Sequence, residues 1–340
     1  MKVDYWFTGP PDGAPEAAIT AARIGYDGFF SAETQFDPYL PLALASSVAP
    51  SLELGTGITV AFPRSPMTTA IVAWDLARMS AGKFMLGLGT QVRAHIVRRF
   101  SSVWDRPGLR LKDYILAIRA IWDTFQNAVP LAYEGDFYQF SLMTPFFNPG
   151  PIPNPNVPVY IAGVGPYLSN LAGELCDGFH VHPFHTAKYL DDVVIPQISS
   201  GAEGAGRSVD DVDRVAALFV ATGHDQAAIE QSIEPIRHQI SFYGSTPSYA
   251  PIFEANDWDF NDELRALARR GRWDEMAAVV PDEAVEKVAV IAPLDELGAA
   301  VRSRCEGRLQ RVGFYSLGPI AGLDDETQTE VVGQIKSGAA

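Results

Sequence analysis

Three histidines follow a short apolar run in the segment GFHVHPFH. His180 and His182 are two residues apart, so on a β-strand both side chains lie on one face, with His185 just beyond. Such a pair at a strand end could supply half of a metal site, as in metal-dependent hydrolases. One imidazole could instead line a pocket as a hydrogen-bonding or acid–base group. Because the other histidines show no ligand spacing to an aspartate, the pocket role is favoured, while a purely structural role stays equally open.

A single carboxylate, Glu33, comes directly after the aromatic run FFSA. Burial among aromatic side chains raises the pKa of a carboxyl group and can turn it into a proton donor or base. The alternatives are a solvated glutamate in a loop and a structural partner for an arginine. No serine lies near a histidine and an acid at the predicted strand ends, so a hydrolytic triad is not indicated.

A glycine-marked turn at 162–166 joins an apolar run to a helical pattern. The run VPVYIA precedes it, and leucines recur at helical spacing after it. Pro166 suits the first position of a helix. Free N–H groups and the helix dipole at such a start favour an anion, typically phosphate. A tight turn without a ligand is the equal alternative.

A second glycine pair, in GLGTQV at 87–92, begins like a dinucleotide-binding fingerprint, but Val92 stands at the third glycine position. A Rossmann site is therefore only weakly indicated. The residues that follow include four cationic or titratable side chains, which could hold a phosphate or carboxylate tail or could form a solvated helix face. These are Arg93, His95, Arg98 and Arg99.

The composition is that of an ordinary globular enzyme. The chain has 340 residues, 47% of them hydrophobic, and a net charge of −15. The acidic balance opposes general binding to nucleic acid or to an anionic membrane. Two cysteines form neither a disulfide framework nor a zinc site by themselves. With no apolar run of about 20 residues and no signal sequence, we expect a cytoplasmic protein.

Eight strand-like runs alternate with helical patterns, which predicts a single-domain α/β fold over residues 1–340, a (β/α)8 TIM barrel. Two insertions, at about 128–157 and 244–292, are expected to cap the carboxyl ends of the strands, where the chemistry of such barrels collects. A small hairpin is predicted at 133–140. The predicted strands are 3–7, 26–32, 52–60, 83–88, 157–162, 179–181, 212–222 and 311–317.

Three stretches resemble the bacterial luciferase family, the luciferase-like flavin and deazaflavin oxidoreductases. They are LGTGITV at 54–60, WDLARMSAGKFMLGLGT at 74–90 and PVYIAGVGPYLSNLAGELCDGF at 158–179, with DEAVEKV at 282–288 as minor support. The resemblance covers most of residues 1–220. Within the family it is nearest to the F420-dependent branch, which includes methylenetetrahydromethanopterin reductases and alcohol dehydrogenases.

The resemblance implies a deazaflavin bound at the carboxyl ends of the strands. It places a non-prolyl cis peptide at Gly57–Ile58 and a phosphate loop at 162–166, and it leaves Glu33 or His182 to exchange the proton. The expected cofactor contacts are Thr56, Gly57, Ile58, Thr90, Gln91, His95, Ala162, Gly163, Val164, Gly165 and Pro166.

Two departures separate the chain from known F420 enzymes. Ala32-Glu33 stands where several carry Asp-His, and Val92 replaces a glutamate that the sugar-phosphate branch uses as a proton donor, so a glucose-6-phosphate reaction is not expected. The leading hypothesis is an F420-dependent oxidoreductase acting on a small organic substrate. The alternatives are an FMN-dependent monooxygenase using reduced flavin and O₂, a metal-dependent hydrolase using His180 and His182, and cofactor binding without catalysis. A homodimer is expected.

Overall fold

The computed structural model describes residues 1–315 and 323–337. Its strands, in chain order, are β1 (Lys2–Phe7), β2 (Gly28–Ser31), β3 (Glu53–Thr56), β4 (Thr59–Val60), β5 (Phe84–Gly89), β6 (Tyr133–Glu134), β7 (Gln139–Phe140), β8 (Val159–Gly163), β9 (Gly178–Val181), β10 (Asp213–Leu218), β11 (Val220–Ala221), β12 (Val290–Ile291) and β13 (Arg311–Phe314).

Eight of these strands close into a parallel barrel. The hydrogen-bonded order is β3-β2-β1-β13-β10-β9-β8-β5, and pairing of β5 with β3 completes the circle. Strands buried on both faces are expected to be almost continuously apolar, as most of these are. The predicted barrel is therefore confirmed. The last strand is seen to Phe314; Ser316 and Leu317, which were predicted to extend it, lie outside the described residues.

Helices cover the outside of the barrel. They are α1 (Ala14–Ile24), α2 (Tyr39–Val48), α3 (Pro66–Met79), α4 (Pro107–Asn127), α5 (Pro166–Leu175), α6 (Ala187–Tyr189), α7 (Ile195–Gly204), α8 (Gln226–Gly244), α9 (Ala250–Asn256), α10 (Asn261–Arg269), α11 (Asp282–Val288), α12 (Leu297–Cys305) and α13 (Asp325–Ser337).

The predicted third strand, 52–60, is interrupted in the structure. β3 and β4 are separated by Gly57 and Ile58, and the peptide bond between these two residues is cis. The glycines of this stretch make room for aromatic rings inside the barrel. A Cβ on Gly55 would lie 2.3 Å from the ring of Phe30, and one on Gly57 would lie 2.5 Å from the ring of Trp6. Side chains of neighbouring strands therefore explain why glycine is needed here.

The glycines of β5 have a similar role. A Cβ on Gly87 would lie 1.9 Å from the carbonyl oxygen of Thr56, and one on Gly89 would lie 2.6 Å from the side chain of Ile58. These residues let β5 approach the break between β3 and β4. The GLG sequence is therefore part of the barrel wall. This agrees with the sequence analysis, in which a Rossmann dinucleotide site was only weakly indicated.

The two predicted insertions make different contacts. The segment 128–157 contains the predicted hairpin, formed by β6 and β7, and bonds to the outer helices: the Trp74 indole donates to the carbonyl of Gly150, and the Asn148 amide donates to that of Thr124. The segment 244–292 reaches the carboxyl end of β9 through Tyr249. Tyr249 of the second segment thus contacts a strand end, and capping of the strand ends by the two insertions stays a prediction.

The barrel interior ends in a buried ion pair near the amino ends of the strands. Arg311 donates to the carboxylate of Asp4 at 2.6 and 2.9 Å and also pairs with Glu53. Above this pair the interior is filled by Trp6 and Phe30 together with Met85, Tyr160 and Val215. Among the described residues, no helix is both long enough and apolar enough to span a membrane.

Candidate active site

A cavity of about 340 Å³ opens at the carboxyl ends of the barrel strands. Every barrel strand except β5 contributes to its wall directly or through the residues just after it, and the end of α8 covers one side. None of the described lining residues is an aspartate, glutamate, lysine or arginine. The lining consists of Trp6, Thr8, Ala32, Thr34, Gly57, Ile58, Ala162, His180, Val181, His182, Pro183, Ala217, Tyr243, Phe314 and Tyr315.

The cis peptide expected at Gly57–Ile58 is present and forms one wall of the cavity. Glu33 holds this wall in place. Its backbone N–H donates to the carbonyl of Ile58 at 3.0 Å, and its carboxylate accepts the N–H of Val60 at 2.7 Å. Arg64 also donates to the carboxylate at 2.7 Å, and only 6% of the Glu33 side chain is exposed. The structure thus brings Glu33 behind the wall rather than among the lining residues.

Thr56 lies beneath the cavity. Its hydroxyl donates to the carbonyl of Gly87 at 2.7 Å and accepts the N–H of the same residue at 2.9 Å. Because both hydrogen-bonding roles are taken and the residue is fully buried, Thr56 fixes β3 against β5. The contact expected between this side chain and a cofactor is not visible in the geometry.

His182 lines the cavity and has partners at both ring nitrogens. Nδ1 accepts the N–H of Phe184 at 3.1 Å, and Nε2 lies 2.9 Å from the hydroxyl of Tyr249. Burial lowers the pKa of His182 to about 3, with a smaller contribution from His185. The imidazole is therefore neutral near pH 7. Since Nδ1 is an acceptor, the proton sits on Nε2 and is donated to the oxygen of Tyr249.

His180 lies deeper in the same cavity, among the rings of Trp6, Phe30 and Tyr160. It is 4% exposed, and neither ring nitrogen has a partner within hydrogen-bond distance among the residues that the structure describes. Burial, together with the smaller effect of the Arg311 charge, lowers its pKa to about 3, while the backbone of Thr56 acts in the opposite direction. A neutral imidazole offers one donor and one acceptor. The predicted common face of His180 and His182 is thus confirmed, and His180 has hydrogen-bonding capacity to spare.

A metal site gains no support from these histidines. Both nitrogens of His182 are already engaged by the protein. Among the residues that the structure describes, no group of three or more histidine, cysteine, aspartate or glutamate side chains is placed to hold a metal ion.

The turn at 162–166 has the predicted strand-to-helix form. Gly165 has a φ of +94° and precedes α5, whose first turn is not capped by any side chain. The N–H of Gly165 donates to the buried hydroxyl of Tyr189 at 3.1 Å, which fixes the turn. Of the five turn residues, Ala162 also lines the cavity. The first N–H groups of an α-helix have no intrahelical partner, so the open start of α5 beside the cavity suits an anion.

Thr90, Gln91 and His95 follow β5 and lie outside the cavity lining. Gln91 is in the left-handed region with a φ of +58°, and its side-chain oxygen accepts the N–H of Val92 at 2.9 Å. His95 begins an exposed π-helical turn that ends at Arg99. β5 pairs with β8 through Gly89 and Ala162, so this segment begins beside the glycine turn.

Sequence reasoning did not single out the tyrosines of the cavity. The hydroxyls of Tyr243 and Tyr315 lie 2.7 Å apart, and both residues line the wall opposite the cis peptide. The ring of Tyr249 packs against that of Tyr243 with centroids 5.5 Å apart. The aromatic content of 242–249 was the available signal, but only the packing of α8 and the second insertion places these rings over β9.

The fold and this site define a barrel scaffold with a largely apolar cavity beside a helix start that no described side chain caps. Residues 7–310 match the luciferase-like monooxygenase family. The chain belongs to that family.

Relatives and solved structures agree with this assignment. An uncharacterized protein of Mycobacterium tuberculosis is 42% identical over 92% of both chains. The 5,10-methylenetetrahydromethanopterin reductase of Methanolobus tindarius is 30% identical over 64% of both chains.

Two solved structures share the fold. The coenzyme F420-dependent tetrahydromethanopterin reductase of Methanopyrus kandleri has a TM-score of 0.78 at 19% identity and covers 98% of this chain and 97% of its own. The oxygenating constituent of 3,6-diketocamphane monooxygenase from Pseudomonas putida, in complex with FMN, has a TM-score of 0.68 at 14% identity over 98% of both chains.

Proposed function

We propose that the protein is an F420-dependent oxidoreductase that moves a hydride between the deazaflavin C5 and a small organic substrate. The observation that carries the proposal is one continuous site: the largely apolar cavity, walled by Gly57 and Ile58, adjoins the open start of α5 through Ala162. An apolar cavity beside an uncapped helix start suits a flat ring with a phosphorylated side chain. The relatives that are named as F420-dependent enzymes support the choice of cofactor.

The residues around the cavity are of chemical types that suit a deazaflavin. Gly57 presents no side chain to a ring lying against it. The unpartnered nitrogens of His180 offer one donor and one acceptor, and the pyrimidinedione edge of a deazaflavin carries both groups. The turn at 162–166 would hold the phosphate. Arg93 and Arg98 are exposed and follow β5, the strand that pairs with β8 next to this turn. They would contact the anionic tail.

When bound, F420 supplies the hydride chemistry, as cofactors generally supply the difficult step. The chain's own residues position the cofactor and the substrate, and they exclude water. Glu33 and Arg64 fix the cis peptide wall, and Tyr189 fixes the phosphate turn. His182 is the proposed polar contact for the exchanged proton, acting through its neutral Nε2–H and the hydroxyl of Tyr249. Glu33 stays the alternative for that proton.

An FMN-dependent monooxygenase is the second candidate, because FMN-binding members of the fold also match this chain. Titration of the purified protein with F420 and, separately, with FMN, followed by cofactor fluorescence, distinguishes the two. We expect micromolar binding of F420 and at least tenfold weaker binding of FMN, a difference of about 1.4 kcal/mol. Micromolar binding of FMN without binding of F420 would contradict the proposal.

A further inference from the structure

The described lining of the cavity contains no ionised side chain. It has no acidic or basic residue except two histidines, and burial lowers the pKa of each to about 3. The carboxylate of Glu33, behind the wall, is bound by Arg64 and the N–H of Val60. A charged group moved from water into such surroundings loses its hydration without gaining a counter-charge, which is costly.

The polar groups on the wall opposite the cis peptide are hydroxyls. One hydroxyl of the pair Tyr243–Tyr315 donates to the other across 2.7 Å. The O–H of the accepting hydroxyl is not used within the pair and can donate to a ligand. Tyr249, held by the Nε2–H of His182, packs behind Tyr243 and fixes its ring. Burial raises the pKa of Tyr243 far above its ordinary value, so this hydroxyl stays protonated.

Most of the remaining surroundings of this pair are apolar or aromatic. Phe314 lines the cavity next to Tyr315, and Phe219 packs against the Tyr315 ring with centroids 4.8 Å apart. Ala217 and Pro183 complete the wall, and the side chain of Gln239 bonds to Tyr243. A ligand here therefore meets the hydroxyls of the pair among largely apolar side chains.

We infer that the substrate is an uncharged, largely apolar molecule whose carbonyl oxygen accepts a hydrogen bond from the Tyr243–Tyr315 pair. The class comprises ketones, aldehydes and enones. It excludes substrates that carry a phosphate or a carboxylate at the reacting end. This inference deepens the proposed function and rests on it, since a carbonyl carbon is an acceptor for hydride. The two tyrosines determine specificity by touching the substrate, and Tyr249 positions them.

The test compares ligands of matched shape: cyclohexanone, cyclohexanecarboxylate and cyclohexylammonium. Their binding to the F420-loaded protein is followed by the change in deazaflavin fluorescence. We expect cyclohexanone to bind at least about tenfold more tightly than either ion. The double variant Y243F/Y315F should lose about tenfold in affinity for cyclohexanone, as expected for one neutral hydrogen bond, with an unchanged Kd for F420.

The control is Tyr26→Phe, which removes a hydroxyl bonded to Gln328 outside the cavity and should leave all three affinities unchanged. Equal or tighter binding of the carboxylate, or unchanged ketone binding by the double variant, would overturn the inference. If F420 itself does not bind, the proposed function fails. The ligand preference is then measured by saturation-transfer NMR on the protein without cofactor, and it decides the inference separately.

Discussion

Glu33 illustrates how one residue can be recognised as important while its role depends on its neighbours. Its position after an aromatic strand suggested a proton donor. In the structure it bonds to two residues on the C-terminal side of the cis bond, through its own N–H to the carbonyl of Ile58 and through its carboxylate to the N–H of Val60. These contacts make it a positioning residue for the cavity wall, and proton exchange by Glu33 stays a hypothesis that a variant can separate from this role.

Replacing Glu33 with alanine should weaken both folding and cofactor binding. The change leaves Arg64 and the N–H of Val60 without their acceptor, and breaking a buried pair typically costs about 3 kcal/mol. Urea unfolding and F420 titration measure the two effects. Asp75→Ala is the control, because Asp75 pairs with Arg78 at 2.6 Å on the exposed surface; it should cost less than about 1 kcal/mol.

The conservative change Glu33→Gln distinguishes the two roles of this residue. If the side chain only holds the wall, the variant keeps an acceptor for Val60 and turnover falls in step with cofactor affinity. Loss of turnover with unchanged stability and unchanged F420 affinity would instead identify Glu33 as the proton donor.

Among the elements, the start of α5 is where we propose that backbone geometry determines ligand binding. Gly165 has a φ of +94° and a ψ of 163°, a combination that is essentially restricted to glycine. Its N–H is held by Tyr189, so the direction of the following N–H groups depends on this one residue. The position has open space for a Cβ, which means that a substitution there acts through the backbone.

Gly165→Ala should therefore weaken F420 binding about tenfold or more and cost about 1–3 kcal/mol of stability. Gly206→Ala is the matched control: its φ is +71° and its Cβ also meets nothing within 4 Å, but it lies after α7, away from the cavity lining. It should be destabilised comparably and bind F420 as the wild type does. Equal F420 affinities of the two variants would contradict the anion-binding role of the turn.

At the scale of the whole molecule, three buried neutral histidines tie stability to pH. Burial lowers the pKa of His180 and His182 to about 3 and that of His185 to about 4. In the unfolded chain these groups titrate near 6.5. The unfolded state therefore binds more protons below pH 6.5, so their contribution to stability is complete above that pH and is lost as the pH falls towards 4 and 3.

The three histidines should lower the free energy of unfolding below pH 6.5 with a slope approaching about 4 kcal/mol per pH unit, partly offset by Asp4, whose pKa burial raises to about 6. Urea unfolding at pH 5 to 8 measures it. His180→Asn should reduce the slope by about a third, whereas His238→Gln should leave it unchanged because His238 is exposed. A stability independent of pH between 5 and 6.5 would contradict the burial of neutral histidines.

Local patterns determined most of the fold. The alternation of apolar runs and helical repeats predicted the barrel, and its helices begin and end at residues that favour helix boundaries, such as Pro66 at the start of α3 and Gly25 after α1. The glycine turn was predicted from the residues themselves, whereas the cis peptide was predicted only through the family resemblance, which carries information that periodicity does not. Both features depend on backbone conformation within a few consecutive residues, so a short motif is enough to specify them.

Tertiary structure decided which side chains meet in the cavity. Thr56 and Glu33 belong to strand ends, yet Gly87, Val60 and Arg64 engage their polar atoms. Tyr243 and Tyr315 are 72 residues apart, yet their hydroxyls are in contact. The sequence determined which segments form the barrel because hydrophobic periodicity is local. Partner choice, burial and the resulting neutral cavity depend on contacts between distant segments, which only the folded chain creates.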